Sequence, residues 1–148
     1  MSEVPRGSLP RVGPGPSLAS VWEGEPVTPA DLTASRARLR AAVRERERPD
    51  GVTDDDLDRL LLVFEELGSN GLRHGVPPVR VSVSETGTGW LVEVCDGAVD
   101  SPPTPAVGRD AALGGLGLHL VARLSAANGW EIRGDHKYVW ARIEISVA

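Results

Sequence analysis

One cysteine, one tyrosine, one phenylalanine and one methionine are all that 148 residues supply of those types. With Cys95 alone, no intramolecular disulfide framework can form, and such usage fits a reducing compartment. No apolar run approaches the length of a membrane span, and residues 1–16 hold no signal-like apolar stretch. The expectation is therefore a cytoplasmic protein without a membrane partner. Basic charge is also in deficit, with 16 Lys and Arg against 21 Asp and Glu. The resulting net charge of −5 argues against a general nucleic-acid surface. The phosphate loop G-x-x-x-x-G-K-[ST] is missing, and the glycines come late rather than after a first strand, which excludes P-loop and Rossmann proteins. No internal repeat is present.

What remains is a hydrophobic content of 41%, enough for one small domain with one core. Residues 1–16 carry four prolines and three glycines and read as a tail, leaving 17–148 as the domain. Residues 17–22 suit a short edge strand. Thr28-Pro29-Ala30-Asp31 is a helix start, with Leu32, Leu39 and Val43 on one apolar face up to about residue 47. Thr53-Asp54-Asp55-Asp56 opens a second helix. Residues 79–83 alternate as a half-buried strand, and Gly87-Thr88-Gly89 turns the chain into a partner strand over 90–95. Residues 101–110 carry three prolines and no periodicity, as a loop does. A helix over 117–127 and two strands over 129–133 and 138–145 complete the chain. This order predicts an α+β two-layer sandwich, a mixed and mainly antiparallel sheet with helices on one face.

The polar residues of the second helix are spaced for chemistry. At about 100° per residue, Glu66, Asn70, Arg73 and His74 fall on one side. A carboxylate, an amide and a cation on one face suit a magnesium polyphosphate. Gly68 and Gly71 interrupt the same helix at about 1 kcal/mol each, a cost that calls for a close approach to the backbone. The strand over 90–95 runs into Asp96-Gly97. Farther on, Gly114-Gly115-Leu116-Gly117-Leu118-His119 leads into an apolar helix, whose free N–H groups and dipole favour anions.

Taken together, E-L-x-x-N, strand-Asp-Gly and G-G-L-G-L-x-L-V resemble the motifs of the GHKL ATPase superfamily, the histidine-kinase-like ATPases. The similarity is greatest to the short anti-sigma-factor serine kinases and runs from about Thr28 onward. It implies the Bergerat-type sandwich, with ATP and Mg²⁺ between helices and sheet and residues 101–113 as a lid. It implies Glu66 as general base, with Glu65 pointing elsewhere, and Asn70 as the magnesium ligand. Asp96 is implied as acceptor of the adenine amine, and Gly115, Gly117 and Leu118 as the phosphate-side turn, with Arg73 a phosphate neighbour. The resemblance does not make His74 a phosphoacceptor, because histidine kinases carry that residue on a separate helical domain, which is not expected here.

Two places depart from the family pattern. The D-x-G-x-G motif is Asp96-Gly97-Ala98-Val99-Asp100 here, and a threonine of the last strand is replaced by Lys137-Tyr138. Lys137 is read as a solvated strand-start lysine in preference to one reaching phosphate or lid. The resemblance implies a serine/threonine protein kinase acting on a protein partner, an anti-sigma antagonist or a sigma factor, with a homodimer as a further possibility. The alternative is a non-catalytic ATP-binding module read by a partner, and a third reading is a histidine-kinase half acting in trans.

Overall fold

In the computed structural model, residues 9–46, 51–103 and 117–146 are described. Their order is β1 (Ser20–Gly24), α1 (Pro29–Glu45), α2 (Asp54–His74), β2 (Arg80–Glu85), β3 (Gly89–Asp96), α3 (Gly117–Leu124), β4 (Ala127–Arg133) and β5 (His136–Glu144). The strands form one sheet in the order β1-β2-β3-β5-β4, each pair antiparallel. The helices pack together on one face of it, α2 lying between α1 and α3 and resting on β3 and β5. This is the α+β two-layer sandwich expected.

Both long helices begin where the sequence marks them. Thr28 and Thr53 each accept a hydrogen bond from the N–H three residues on, while Asp31 and Asp56 reach back to the cap N–H groups. These reciprocal capping boxes satisfy donors that the helix itself leaves unpaired. The apolar stripe of α2, Leu57, Leu60, Leu61, Phe64 and Leu67, is buried against Val81, Val83, Val92, Val94 and Ala141 of the sheet. The two interior glycines belong to this packing. A Cβ at Gly68 would lie 2.7 Å from Leu32 Cδ1, and one at Gly71 would lie 2.8 Å from Val94 Cγ1. The close approach that these glycines allow is by the protein's own core and not by a ligand.

The segment 9–16 departs from its expected character as a tail. Leu9 is 4% exposed and joins the core. Pro10 O and the Val12 N–H bond to Trp130 of β4, and Arg11 pairs with Trp130 in an isolated parallel bridge. The chain then crosses the sheet face away from the helices. Trp140 Nε1 donates to Val12 O at 2.6 Å, Arg142 Nε donates to Pro14 O at 2.6 Å, and Arg142 also donates to Pro16 O. At Leu18 the chain joins Glu85 of β2 and enters β1. Past the strand bond at Pro10, side-chain donors of β5 satisfy the carbonyls of Val12, Pro14 and Pro16. Trp22 lies on the helix side, edge-on to Phe64 at 5.6 Å between ring centroids.

Candidate functional site

The C-terminal half of α2 is one unbroken helix through Glu66, Asn70 and Arg73, so these three do share a face. Glu66 and Asn70 are partly buried and Arg73 is exposed. Gly117, at the start of α3, stands against Glu66, and a Cβ there would lie 2.7 Å from Glu66 Oε2. Burial pushes the Glu66 carboxyl above the ordinary glutamate value, the neighbouring Glu65 charge adds to the rise, and Arg73 opposes it. A carboxylate held toward its protonated form accepts a proton more readily near neutral pH than a solvated glutamate does. The Oε2 of the adjacent Glu65 is buried and has no hydrogen-bond partner among the described residues.

Beyond the same end of α2, the chain leaves the helix through Gly75 and Val76 and meets Asp96 at the end of β3. Asp96 is 1% exposed. Its Oδ1 accepts the N–H of Ala98 at 2.7 Å and that of Val76 at 3.3 Å. The carboxylate therefore caps its own turn, as aspartates at strand ends do, while Oδ2 is left facing elsewhere. A Cβ on Gly75 would come within 2.9 Å of Oδ2, so the absence of a side chain lets the end of α2 pack directly against this carboxylate.

Lys137 is not a solvated lysine. It is 3% exposed, donates from Nζ to Ser101 O at 2.9 Å, and lies 3.7 Å from Asp96 Oδ2. The register explains the meeting, because Lys137 is the residue of β5 opposite Asp96 of β3. A buried ammonium needs a charge or a carbonyl beside it, and both are here. The chain contains no other lysine, all remaining basic side chains being Arg or His. That singularity was the available signal for a position that the strand pattern alone leaves unremarked.

Leu118 is 2% exposed and belongs to the hydrophobic core, so its side chain holds no ligand and only its backbone could face a phosphate. Gly115 and the proposed lid from residue 104 onward lie outside the described residues. Among the described residues, no group of three or more His, Cys, Asp or Glu is arranged to hold a metal. One amide oxygen, from Asn70, suits a magnesium ion that brings phosphate and water oxygens with it, which is how that ion is usually held.

Glu66 of α2 thus faces Gly117 of α3, while the Asp96–Lys137 pair of β3 and β5 meets the chain just past the end of α2, in a protein built as helices on a sheet. The histidine kinase-like ATPase domain matches residues 28–143, most of the chain, and the protein belongs to that family. No curated protein matches it. Membership implies ATP binding and a regulatory role. No helix among the described residues is long and apolar enough to cross a membrane.

Proposed function

We propose that the protein is an ATP-dependent serine/threonine kinase of the anti-sigma-factor type, which transfers the γ-phosphate of ATP to a partner protein. The observation that carries this reading is Glu66, a half-buried carboxylate raised above its ordinary value and one helical turn from Asn70. In the proposed reaction Glu66 takes the proton of the partner's hydroxyl as that oxygen attacks the γ-phosphorus. The bond from the γ-phosphorus to the β–γ bridging oxygen breaks, and ADP leaves. Asn70 would hold the magnesium ion that accompanies the triphosphate, Arg73 would add positive charge for the phosphates, and the backbone at Gly117 would offer N–H groups to them. Positioning and charge neutralisation carry most of the rate in such transfers. The partner is an antagonist protein or a sigma factor.

A second reading is an ATP-binding module without transfer, favoured by one observation: Asp96, the implied acceptor for the base, already has a cation beside it. Two experiments test these readings. Calorimetric titration with ATP, with and without magnesium, should give saturable, magnesium-assisted binding, and no binding at high ATP removes both readings. Labelled ATP incubated with a co-purified partner should then give phosphoserine or phosphothreonine on that partner, lost with Glu66→Ala. Binding without transfer leaves the module.

A further inference from the structure

Asp96 spends its carboxylate on the protein itself. Oδ1 takes the N–H of Ala98 at 2.7 Å and that of Val76 at 3.3 Å, and Oδ2 lies 3.7 Å from Lys137 Nζ. The end of α2 packs against the same Oδ2, where a Cβ on Gly75 would come within 2.9 Å. Asp96 is 1% exposed and Lys137 3%. Both oxygens of the implied partner of the adenine amine are therefore engaged and enclosed.

Contacts run outward from this pair in two directions. On one side, the Gly97 N–H donates to Val76 O at 2.9 Å while the Val76 N–H donates to Asp96, so Val76 is held to the end of β3 by both its polar groups. Just before it Gly75 caps α2 with its N–H on Gly71 O at 2.8 Å, and Arg73 belongs to the last turn of that helix. On the other side, Lys137 Nζ donates to Ser101 O at 2.9 Å. The turn between is closed by bonds from the Val99 N–H to Gly97 O and from the Ser101 N–H to Ala98 O. One ion pair thus fastens the last turn of α2, the 97–101 turn and β5 to the end of β3.

We propose that Lys137 is a positioning residue. With Asp96 it clasps the exit of α2 to the sheet, and so sets where Asn70 and Arg73 meet the phosphates, while neither member of the pair touches the base. The inference rests on the nucleotide reading above and gives Asp96 a mechanical role in place of base reading. Selection then falls on the triphosphate and its magnesium far more than on the purine. A carboxylate that did read the base would accept the amine of adenine and reject the 6-oxygen of guanine by orders of magnitude.

The test is calorimetric titration of the full chain with Mg·ATP and with Mg·GTP. In the unaltered protein the two dissociation constants should lie within about tenfold of one another, the scale of a single hydrogen bond. Lys137→Met should weaken both by the same factor, about tenfold, as loss of a supporting contact does. Lys137→Arg, which keeps the cation, should recover most of that loss. A folded Lys137→Met protein with a lowered thermal midpoint and unchanged affinities overturns the positioning role. An ATP preference above about a hundredfold in the unaltered protein overturns the exclusion of the base. In both cases the nucleotide reading stands, whereas binding of neither nucleotide to the unaltered protein removes both. Lys137→Met leaves a buried carboxylate without its cation. If it does not fold, Asp96→Asn combined with Lys137→Met, which removes both charges, is titrated under the same expectations, and the comparison of ATP with GTP needs no variant.

Discussion

Gly117 and Glu66 share one space. A Cβ on the first residue of α3 would fall 2.7 Å from Oε2 of the α2 carboxylate, nearer than side-chain atoms pack. What stands in the way is the free end of a glutamate, so Gly117→Ala should fold, with stability changed by no more than about 1 kcal/mol. Its cost should fall on chemistry, because the displaced carboxylate loses its aim. Turnover is expected to drop by up to about a hundredfold with the thermal midpoint nearly unchanged. Unaltered phosphate transfer in this variant would mean that Glu66 needs no fixed position.

Glu66 should also set a pH limb. Burial first, then the charge of Glu65, raises its carboxyl above the ordinary glutamate value. For an acid raised in the folded state, the protonated form is the favoured one. Its stabilising contribution is complete below the ordinary glutamate range and is lost as pH rises through the raised folded value. Glu66→Gln should therefore match the natural protein in thermal midpoint at low pH and equal or exceed it at neutral pH. In the same variant transfer should fall by about 10²- to 10⁴-fold with ATP affinity kept. A neutral-pH midpoint well below that of the natural protein would show the carboxylate to be a structural group.

Asn70→Ala tests the metal contact separately. The residue is partly buried within an intact helix, so the fold should persist. The strengthening of ATP binding by magnesium should shrink by at least about tenfold. Titrations with and without the ion read this directly, and an unchanged magnesium effect would take Asn70 out of the site.

Capping and periodicity carry their own evidence in the sequence. Thr28 with Asp31, and Thr53 with Asp56, start helices because the side chains needed lie three residues apart, and the spacing of Glu66, Asn70 and Arg73 survives as geometry because the helix between them is regular. Gly68 and Gly71 suggested a ligand, yet they accommodate Leu32 and Val94, since a glycine shows that something comes close but not what. Lys137 was placed in solvent because its burial depends on being opposite Asp96 in the β3–β5 register, a relation across 41 residues, the difference between positions 137 and 96. The contacts of 9–16 were hidden for a similar reason: a proline-rich segment has no period, and its partners Trp140 and Arg142 lie at the far end of the chain.

That segment yields a stability test. Leu9 is 4% exposed within the core, whereas Arg11 rests on the Trp130 ring at 5.1 Å from its surface position. Leu9→Ala should cost about 2–4 kcal/mol in urea unfolding, and Arg11→Ala no more than about 1 kcal/mol. A Leu9→Ala midpoint equal to that of the natural protein would detach the segment from the folded unit.

The strongest acid dependence of folding should come from Asp56, at the start of α2 and remote from Glu66. It is 0% exposed and closes the capping box with the Thr53 N–H at 3.0 Å. It also accepts the Ser146 N–H at 2.9 Å and Arg59 Nη2 at 2.6 Å. Arg59 in turn donates to Glu144 O at 2.9 Å, so one carboxylate ties the helix start to the end of β5. Burial alone would raise its pKa, but the N–H bonds from Ser146 and Thr53 outweigh burial and hold the carboxyl far below the ordinary aspartate value. For an acid depressed in this way, the stabilisation is fully present above the unfolded-state value and is lost as pH falls from there through the folded one. Asp56→Ala removes the acceptor of all these donors and should cost about 3 kcal/mol at neutral pH. The gap between variant and natural protein should close as the pH falls below the ordinary aspartate range. Urea midpoints taken from pH 7 downward measure it, and a gap independent of pH would assign the loss to packing instead of to the carboxylate's charge.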